Sequence, residues 1–234
     1  MTASSLSDGI CAVAFDAVGT LLFPQPPAAA VYAEAGRRFG SRLTEAEIAA
    51  RFLTAFQREE IIDHAQGFRT SEERELLRWQ HIVGEVLDDV RDPEACFQAL
   101  FDHFSRPQAW RCNPEAASAL QALGESGYDL SIASNYDHRL RSVVHGKPEL
   151  GRINRLVISS EVGWRKPAPE FFTALAKAHG LAARQILYVG DDLVNDYEAA
   201  QTAGLRSVLY SREENGTTLQ IRALTELLRM DRGG

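Results

Sequence analysis

The amino-acid sequence predicts a doubly wound α/β fold, a parallel sheet with helices on both faces and an α-helical block inserted after its first strand. A short, continuously apolar run at residues 10–15 is typical of a strand buried on both faces. In the last part of the chain, similar runs alternate with helical patterns, as they do in parallel sheets. The stretch between, 24–107, is too long for an ordinary crossover and carries helical periodicity. We therefore predict a core formed by residues 1–23 and 108–234, interrupted by a helical block at 24–107.

Helix-start signals mark the elements of the inserted block. Residues 44–47 (Thr-Glu-Ala-Glu) and 70–73 (Thr-Ser-Glu-Glu) both fit the capping box, in which two side chains bond reciprocally to backbone N–H groups. Asp92 before Pro93 is typical of the start of a further helix. Apolar residues at helical spacing follow each signal, so we expect helices to fill this block.

The rest of the chain is divided by glycine and proline residues into short apolar runs and helical segments. Strands are predicted at 128–133, 156–159, 186–189 and 207–210, and helices after Asn113-Pro114 and at 137–144, 169–179, 194–203 and 217–230. Together with the first apolar run, these strands form the predicted parallel sheet.

Composition and charge exclude several classes of protein. Hydrophobic residues make up 45% of the chain and charged residues 24%, which is typical of a soluble globular protein. The 25 basic and 32 acidic residues give a net charge of -7, so we expect neither a nucleic-acid nor a membrane partner. The longest apolar run near the start, residues 10–15, is too short for a signal sequence or a membrane span. Three scattered cysteines suit a reducing compartment, and we expect a cytoplasmic protein.

Polar residues follow four of the predicted strands at their carboxyl ends, where parallel sheets bind ligands. In chain order they are Asp16 and Thr20, then Ser134 and Asn135, then Lys166, and finally Asp191, Asn195 and Asp196. Alone, Lys166 is typical of a solvated surface lysine, and the other residues are typical of turns or helix caps. Four such groups in this order predict one shared site.

This combination resembles the haloacid dehalogenase superfamily of hydrolases over essentially the whole chain. The matched positions, in motif order, are the nucleophile Asp16 with Thr20, the second-motif Ser134, the third-motif Lys166, and the acidic fourth motif of Asp191 with Asp196. The resemblance implies a Rossmann-like core of five parallel strands with the nucleophile strand at its centre. It also implies that the block at 24–107 is the helical cap of this superfamily.

The residues at these positions suit phosphoryl transfer from a small phosphorylated molecule. A carboxylate such as Asp16 can attack phosphorus and form an aspartyl-phosphate, which divides hydrolysis into two easier steps. Mg²⁺ bound by Asp16 and Asp191 would offset the negative charge of the substrate, and the resemblance adds the main-chain carbonyl of Val18 as a ligand. Lys166 would neutralise charge on the nucleophile and on the phosphoryl group.

Five further residues complete the predicted site. Thr20, Ser134 and Asn135 are expected to hold the phosphoryl oxygens. Asn195 and Asp196 are expected to lie behind the ligands and to position Lys166 or a metal-bound water. The chain is expected to be a monomer or a homodimer.

One position departs from the phosphatases of this superfamily. They carry a second aspartate two residues after the nucleophile, which protonates the leaving oxygen and then activates water. Here that position is Val18, which can do neither. A lost general acid/base lowers a rate by about 10²–10⁴-fold. The sequence therefore predicts a metal-binding phosphatase that is handicapped in both half-reactions.

A metal-independent 2-haloacid dehalogenase is the first alternative. Such enzymes displace halide from carbon and need no proton on the leaving group, and Arg37 or Arg38 could bind that halide. However, they lack the acidic fourth motif present here, and they carry a tyrosine where this chain has Phe171 and Phe172. The acidic motif favours the phosphatase.

A protein that binds a ligand or another protein without turnover is the second alternative. Residues 134–139 (Ser-Asn-Tyr-Asp-His-Arg) and 163–167 (Gly-Trp-Arg-Lys-Pro) resemble a little-characterised group within the superfamily. Members of that group also lack the second aspartate, so the resemblance keeps this class open.

Overall fold

The computed structural model describes residues 9–213 and 219–231, and it contains one parallel sheet and one short antiparallel ribbon. The strands are β1 Ala12–Phe15, β2 Leu22–Pro24, β3 Trp110–Cys112, β4 Asp129–Ser134, β5 Arg155–Ile158, β6 Ile186–Gly190, β7 Arg206–Tyr210 and β8 Gln220–Ile221. The sheet has the order β5-β4-β1-β6-β7-β8, and β2 pairs with β3 in the ribbon.

Helices surround the sheet and fill the inserted block. They are α1 Ala28–Arg38, α2 Glu45–Ala65, α3 Glu72–Val86, α4 Pro93–Phe104, α5 Ala116–Glu125, α6 Arg139–His145, α7 Ser159–Val162, α8 Pro169–His179, α9 Ala199–Thr202 and α10 Leu227–Asp231. A π-helical turn at Leu193–Glu198 leads directly into α9. None of the helices in the described residues has the length and apolar character that a membrane span requires.

The predicted α/β class is confirmed, and β1 lies at the centre of the sheet between β4 and β6. All four residues of β1 are buried. Val13 and Phe15 join the apolar cluster on one face, while Ala12 and Ala14 join the cluster on the other. This alternation follows from the two-residue period of a strand, and it explains why a central strand is continuously apolar.

The sheet has six strands, one more than expected, because the prediction of a helix over 217–230 is wrong at its start. Gln220 and Ile221 instead pair in parallel with Leu209 and Tyr210. Buried Ile221, Leu224 and Leu227 follow one another at intervals of three residues, which imitates a helical period. Only the stretch after Ala223 is helical, as a 3₁₀ turn followed by α10, and residues 217–218 lie outside the described part of the chain.

The inserted block, which we call the cap, contains α1 to α4 packed around their own apolar cluster. Its most buried members include Tyr32, Ile48, Ile82, Val86 and Leu100. The ribbon of β2 and β3, which the sequence did not predict, pairs the chain segments that enter and leave the cap. The boundaries at 24 and 107 stay a prediction.

The first capping box is confirmed and the second is wrong by one residue. Thr44 and Glu47 make the reciprocal bonds at the start of α2. At α3 the cap residue is Ser71, whose hydroxyl accepts a 3.1 Å bond from the Arg74 N–H. The Thr70 hydroxyl instead donates to the Glu75 carboxylate at 2.8 Å, because this residue faces a buried cluster of charges.

Candidate active site

The predicted site residues meet at the carboxyl ends of β1, β4 and β6. Asp16 follows β1 directly, and its backbone N–H donates to the Val189 carbonyl of β6 at 2.8 Å. Its side chain is almost completely buried. The Oδ1 atom accepts hydrogen bonds from the Ser134 hydroxyl at 2.9 Å and from the Lys166 ammonium at 2.6 Å. These two bonds, both to Oδ1, fix the orientation of the Asp16 carboxylate.

The Lys166 ammonium uses its three donors within the protein. Besides Asp16, it donates to Asp196 Oδ1 at 2.6 Å and to the Tyr188 hydroxyl at 2.9 Å. Burial opposes its charge, but the carboxylates of Asp16 and Asp196 outweigh that effect and raise the pKa of Lys166 well above its ordinary value. Lys166 is therefore a cation at neutral pH, beside the Asp16 carboxylate.

Tyr188 belongs to this network, although the sequence pattern did not single it out. Its hydroxyl donates to the Ala133 carbonyl at 2.5 Å while accepting from Lys166. Burial raises the pKa of Tyr188 well above its ordinary value, so the hydroxyl stays protonated. The one feature of the sequence that could have indicated this role is the hydroxyl-bearing residue within the otherwise apolar run of β6.

Asn135 holds the loop that carries Lys166. Its amide oxygen accepts from the Lys166 backbone N–H at 2.7 Å, and its amide nitrogen donates to the Lys166 carbonyl at 3.0 Å. The structure thus gives Asn135 a positioning contact, and its predicted bond to a phosphoryl oxygen stays a prediction.

Three carboxylates form a cluster at the open side of this network. One oxygen each of Asp16, Asp191 and Asp196 lies within 4.8 Å of the others. Partial burial, together with the charges of Asp16 and Asp196, raises the pKa of Asp191 to about 7. Burial and the Asp16 charge raise the pKa of Asp196 to about 6, against the opposing effect of Lys166. Such mutual repulsion is relieved when a divalent cation binds, and oxygen ligands suit Mg²⁺.

Thr20 and two glycines determine how closely these carboxylates approach. The buried Thr20 hydroxyl donates to Asp191 Oδ1 at 3.1 Å, so its predicted contact with phosphate stays a prediction. Gly19 has a φ of +101°, and a Cβ there would lie 2.3 Å from Asp191 Oδ2. A Cβ on Gly190 would lie 2.2 Å from Asp196 Oδ2. The carboxylates therefore fit only because both positions lack a side chain.

We predicted that Asn195 and Asp196 position Lys166 or a metal-bound water. In the structure, Asp196 contacts Lys166, whereas Asn195 does not. Asp196 bonds to Lys166 and also accepts the Asp192 N–H at 3.0 Å. Asn195 donates from its amide to Asp192 Oδ2 at 3.0 Å. Asp192 also accepts the Asn195 backbone N–H and so caps the π-helical turn.

A cavity of about 380 Å³ lies between these residues and the cap. Asp16, Ser134 and Lys166 are at its floor, and aromatic side chains of the cap form much of its wall. Val18 also lines the cavity and is 37% exposed. The position that carries an acid in the phosphatases is therefore open to a bound substrate, but its side chain carries no proton to give.

A buried network of ion pairs connects the cap to the loop before Lys166. Arg165 pairs with Glu75 and lies 3.3 Å from Asp63 and 3.5 Å from Glu60, all three on cap helices. The Arg165 backbone N–H also donates to the Phe68 carbonyl at 2.9 Å. The sequence did not predict this network, because the members of each pair lie far apart along the chain.

The fold and the motif geometry are those of a haloacid dehalogenase-like hydrolase, and the chain belongs to that family, whose model matches residues 10–204. It is 25% identical over 215 residues to haloacid dehalogenase-like hydrolase domain-containing protein 3 from Danio rerio. That match covers 88% of this chain and 87% of the relative. The match confirms that this chain is related to the group that residues 134–139 and 163–167 resemble.

Solved structures agree with the fold over nearly the whole chain. The HAD-hydrolase YfnB from Bacillus subtilis, solved bound to magnesium, has a TM-score of 0.75 and 21% identity, covering 95% of this chain and 99% of that one. The L-2-haloacid dehalogenase from Xanthobacter autotrophicus has a TM-score of 0.75 and 17% identity, covering 96% and 99%. These structures share the fold of this chain over nearly its whole length.

Proposed function

We propose that this hydrolase is a Mg²⁺-dependent phosphatase that acts through an aspartyl-phosphate on Asp16. The observation that carries the proposal is the Lys166 ammonium bonded to both Asp16 and Asp196, next to a cluster of three carboxylates. Its substrate would be a small phosphorylated molecule. We further propose a cytoplasmic protein, monomeric or homodimeric, with no nucleic-acid or membrane partner.

The residues of the chain supply the nucleophile and the positive charge for both half-reactions, but no general acid/base at position 18. One oxygen of the Asp16 carboxylate, which Ser134 and Lys166 hold in place, attacks phosphorus. The new O–P bond forms as the bond between phosphorus and the leaving oxygen breaks, and the electron pair stays on that leaving oxygen. Val18 donates no proton, so the product departs as an anion or is protonated by water. Water then attacks phosphorus and releases phosphate and the Asp16 carboxylate.

The carboxylate cluster fits the implied metal. Asp16, Asp191 and the Val18 main-chain carbonyl would hold Mg²⁺, which supplies positive charge against the phosphoryl oxygens when it is bound. Lys166 holds the Asp16 carboxylate in place and neutralises part of the charge that develops on the transferred group.

We expect calorimetry to detect Mg²⁺ binding to the wild-type protein and to lose it in Asp191→Ala. Because burial and the charges of Asp16 and Asp196 raise the pKa of Asp191 to about 7, this carboxyl is partly protonated at neutral pH, and metal binding should release protons from it. The apparent affinity should therefore fall as the pH is lowered through 7. Glu198→Ala is the matched control, since Glu198 is exposed on the same π-helical turn and lies outside the three-carboxylate cluster, and it should still bind the metal. Equal affinity in wild type and Asp191→Ala would contradict the assignment.

The dehalogenase alternative rests on Val18, because halide displacement needs no acid at that position. Three observations weigh against it. The carboxylate cluster repels a carboxylate substrate unless a metal is bound. Arg37 pairs with Glu34 on the exposed end of α1, and neither Arg37 nor Arg38 is among the described residues that line the cavity. We therefore expect at most marginal chloride release from 2-chloropropionate. Sustained release in the presence of a chelator would favour the dehalogenase instead.

A panel of phosphoryl donors tests the proposed function against a non-catalytic binding protein. Wild-type protein with Mg²⁺ should hydrolyse acetyl phosphate and p-nitrophenyl phosphate slowly, and Asp16→Asn should not. Activity that is equal in the two proteins for every donor would leave the binding protein as the better account.

A further inference from the structure

We propose that the cap side of the cavity binds a planar aromatic leaving group, so that the substrates are aryl phosphates with no second anionic group. This inference rests on the proposed function and specifies its substrate class.

Six aromatic side chains from the cap helices (five) and β3 (one) line the cavity that Asp16 also lines. They are Tyr32, Phe52, Phe56, Trp79, Phe104 and Trp110. Tyr32 meets Phe52 edge to face at a centroid distance of 5.5 Å, and Phe104 lies 5.9 Å from Trp110. Four of the six, Phe52, Phe56, Trp79 and Phe104, are only half-buried without a ligand. Aromatic faces and edges of this kind favour another ring over an aliphatic chain of the same area.

The size of the cavity agrees with a compact ring system. An apolar cavity of roughly 150 Å³ is enough to bind benzene. The volume here is about 380 Å³ and includes the space over Asp16. It therefore has room for a phosphoryl group and for one ring or two fused rings.

The charged groups around the cavity, away from the carboxylate cluster, already have partners. The pairs are Arg165 with Glu75, Arg78 with Glu60, and Arg139 with Asp137. A sugar bisphosphate or a carboxylated ester would need a cation with free charge beside the leaving group. Among the described residues lining the cap side, each arginine is instead held by a carboxylate. Binding a second anion would break a buried pair, which is costly.

The residue at position 18 points to the same class for a chemical reason. The leaving oxygen receives no proton from Val18, so the rate depends on how well it departs as an anion. Phenols are much stronger acids than alkyl alcohols, so a phenolate leaves unaided far more readily than an alkoxide. An aromatic wall and a missing acid are independent features of the chain, and aryl phosphates satisfy both.

Calorimetry with non-hydrolysable phosphonates tests the binding side without any turnover. The probes are methylphosphonate, cyclohexylmethylphosphonate and benzylphosphonate, each with wild-type protein and Mg²⁺. Benzylphosphonate should bind at least about tenfold more tightly than methylphosphonate, because its ring is buried. It should also bind roughly two- to tenfold more tightly than the saturated ring of similar size, because the wall is aromatic.

A pair of variants assigns that preference to the cavity wall. Phe52→Leu removes a ring that lines the cavity, and Phe39→Leu removes one that packs against the same cap cluster outside the cavity lining. The preference for benzylphosphonate over cyclohexylmethylphosphonate should shrink several-fold in Phe52→Leu and stay unchanged in Phe39→Leu.

Turnover provides the second arm of the test. Phenyl phosphate is compared with a fluorinated alkyl phosphate whose leaving alcohol has the same acidity as phenol, so that only the ring differs. We expect at least about tenfold higher kcat/KM for phenyl phosphate. Equal kcat/KM values for the two phosphates would overturn the inference. So would benzylphosphonate binding no more tightly than methylphosphonate, or no more tightly than cyclohexylmethylphosphonate. If the wild type hydrolyses every phosphate no faster than Asp16→Asn does, the proposed phosphatase activity is wrong. The phosphonate binding comparison then tests by itself whether the cavity prefers an aromatic ring.

Discussion

Val18→Asp is expected to raise the turnover of alkyl phosphates by about 10²–10⁴-fold, the usual contribution of a general acid/base. The substituted side chain would lie two residues beyond the nucleophile and would line the cavity, as Val18 does. It would protonate the leaving oxygen in the first half-reaction and activate water in the second. Aryl and acyl phosphates should gain less, because their leaving groups need little protonation.

The gain should come with little loss of stability. Val18 is 37% exposed, so a carboxylate at this position stays partly hydrated and escapes most of the cost of burying a charge. The measurement is steady-state turnover of both proteins over leaving groups of graded acidity, with Asp16→Asn as the blank. A Val18→Asp protein that is folded, binds Mg²⁺ and is no faster than wild type on any ester would contradict the role given to this position.

Lys166→Met is expected to lower kcat by at least about 10²–10³-fold, since it removes the cation beside the transferred group. The loss should also destabilise the protein, because Asp16 and Asp196 would face each other without the ammonium that joins them. Removing one member of a buried ion pair typically costs about 3–5 kcal/mol.

A second substitution separates the two effects. The double variant Lys166→Met, Asp196→Asn also removes one of the two carboxylate charges that lose their partner in Lys166→Met. Compared with Lys166→Met, it should recover part of the free energy of unfolding without recovering activity. Lys177→Met is the matched control, because Lys177 lies exposed on α8, and it should resemble wild type in both measurements. Substantial activity in a folded Lys166→Met protein would show that phosphoryl transfer does not depend on this residue.

The sequence was sufficient to predict site residues whose position depends only on the strand that they follow. Asp16 and Asp191 follow buried strands, and parallel strands necessarily bring their carboxyl ends to one edge of the sheet. It did not predict Tyr188, because a tyrosine in an apolar run is usually packing, and only the arrival of Lys166 from another element gives its hydroxyl a partner.

The contacts between the cap and the core were also beyond prediction from local pattern. Arg165 meets Glu75 through folding of distant segments, and no spacing rule relates the two positions. The strand β8 was mistaken for helix because buried residues at intervals of three satisfy a helical period in so short a stretch. Pairing with β7 decides the structure there, and that is a tertiary contact.

The most direct test of the account is to look for the phosphoryl group on Asp16. Wild-type protein with Mg²⁺ is mixed with phenyl phosphate, quenched in acid, digested, and mapped by mass spectrometry. We expect one phosphoryl group on the peptide that carries Asp16, and it should be long-lived because no base at Val18 activates water. The group should be absent in Asp16→Asn and shorter-lived in Val18→Asp. Release of phosphate by the wild type with no phosphoryl group on Asp16, at any time of quenching, would contradict the account.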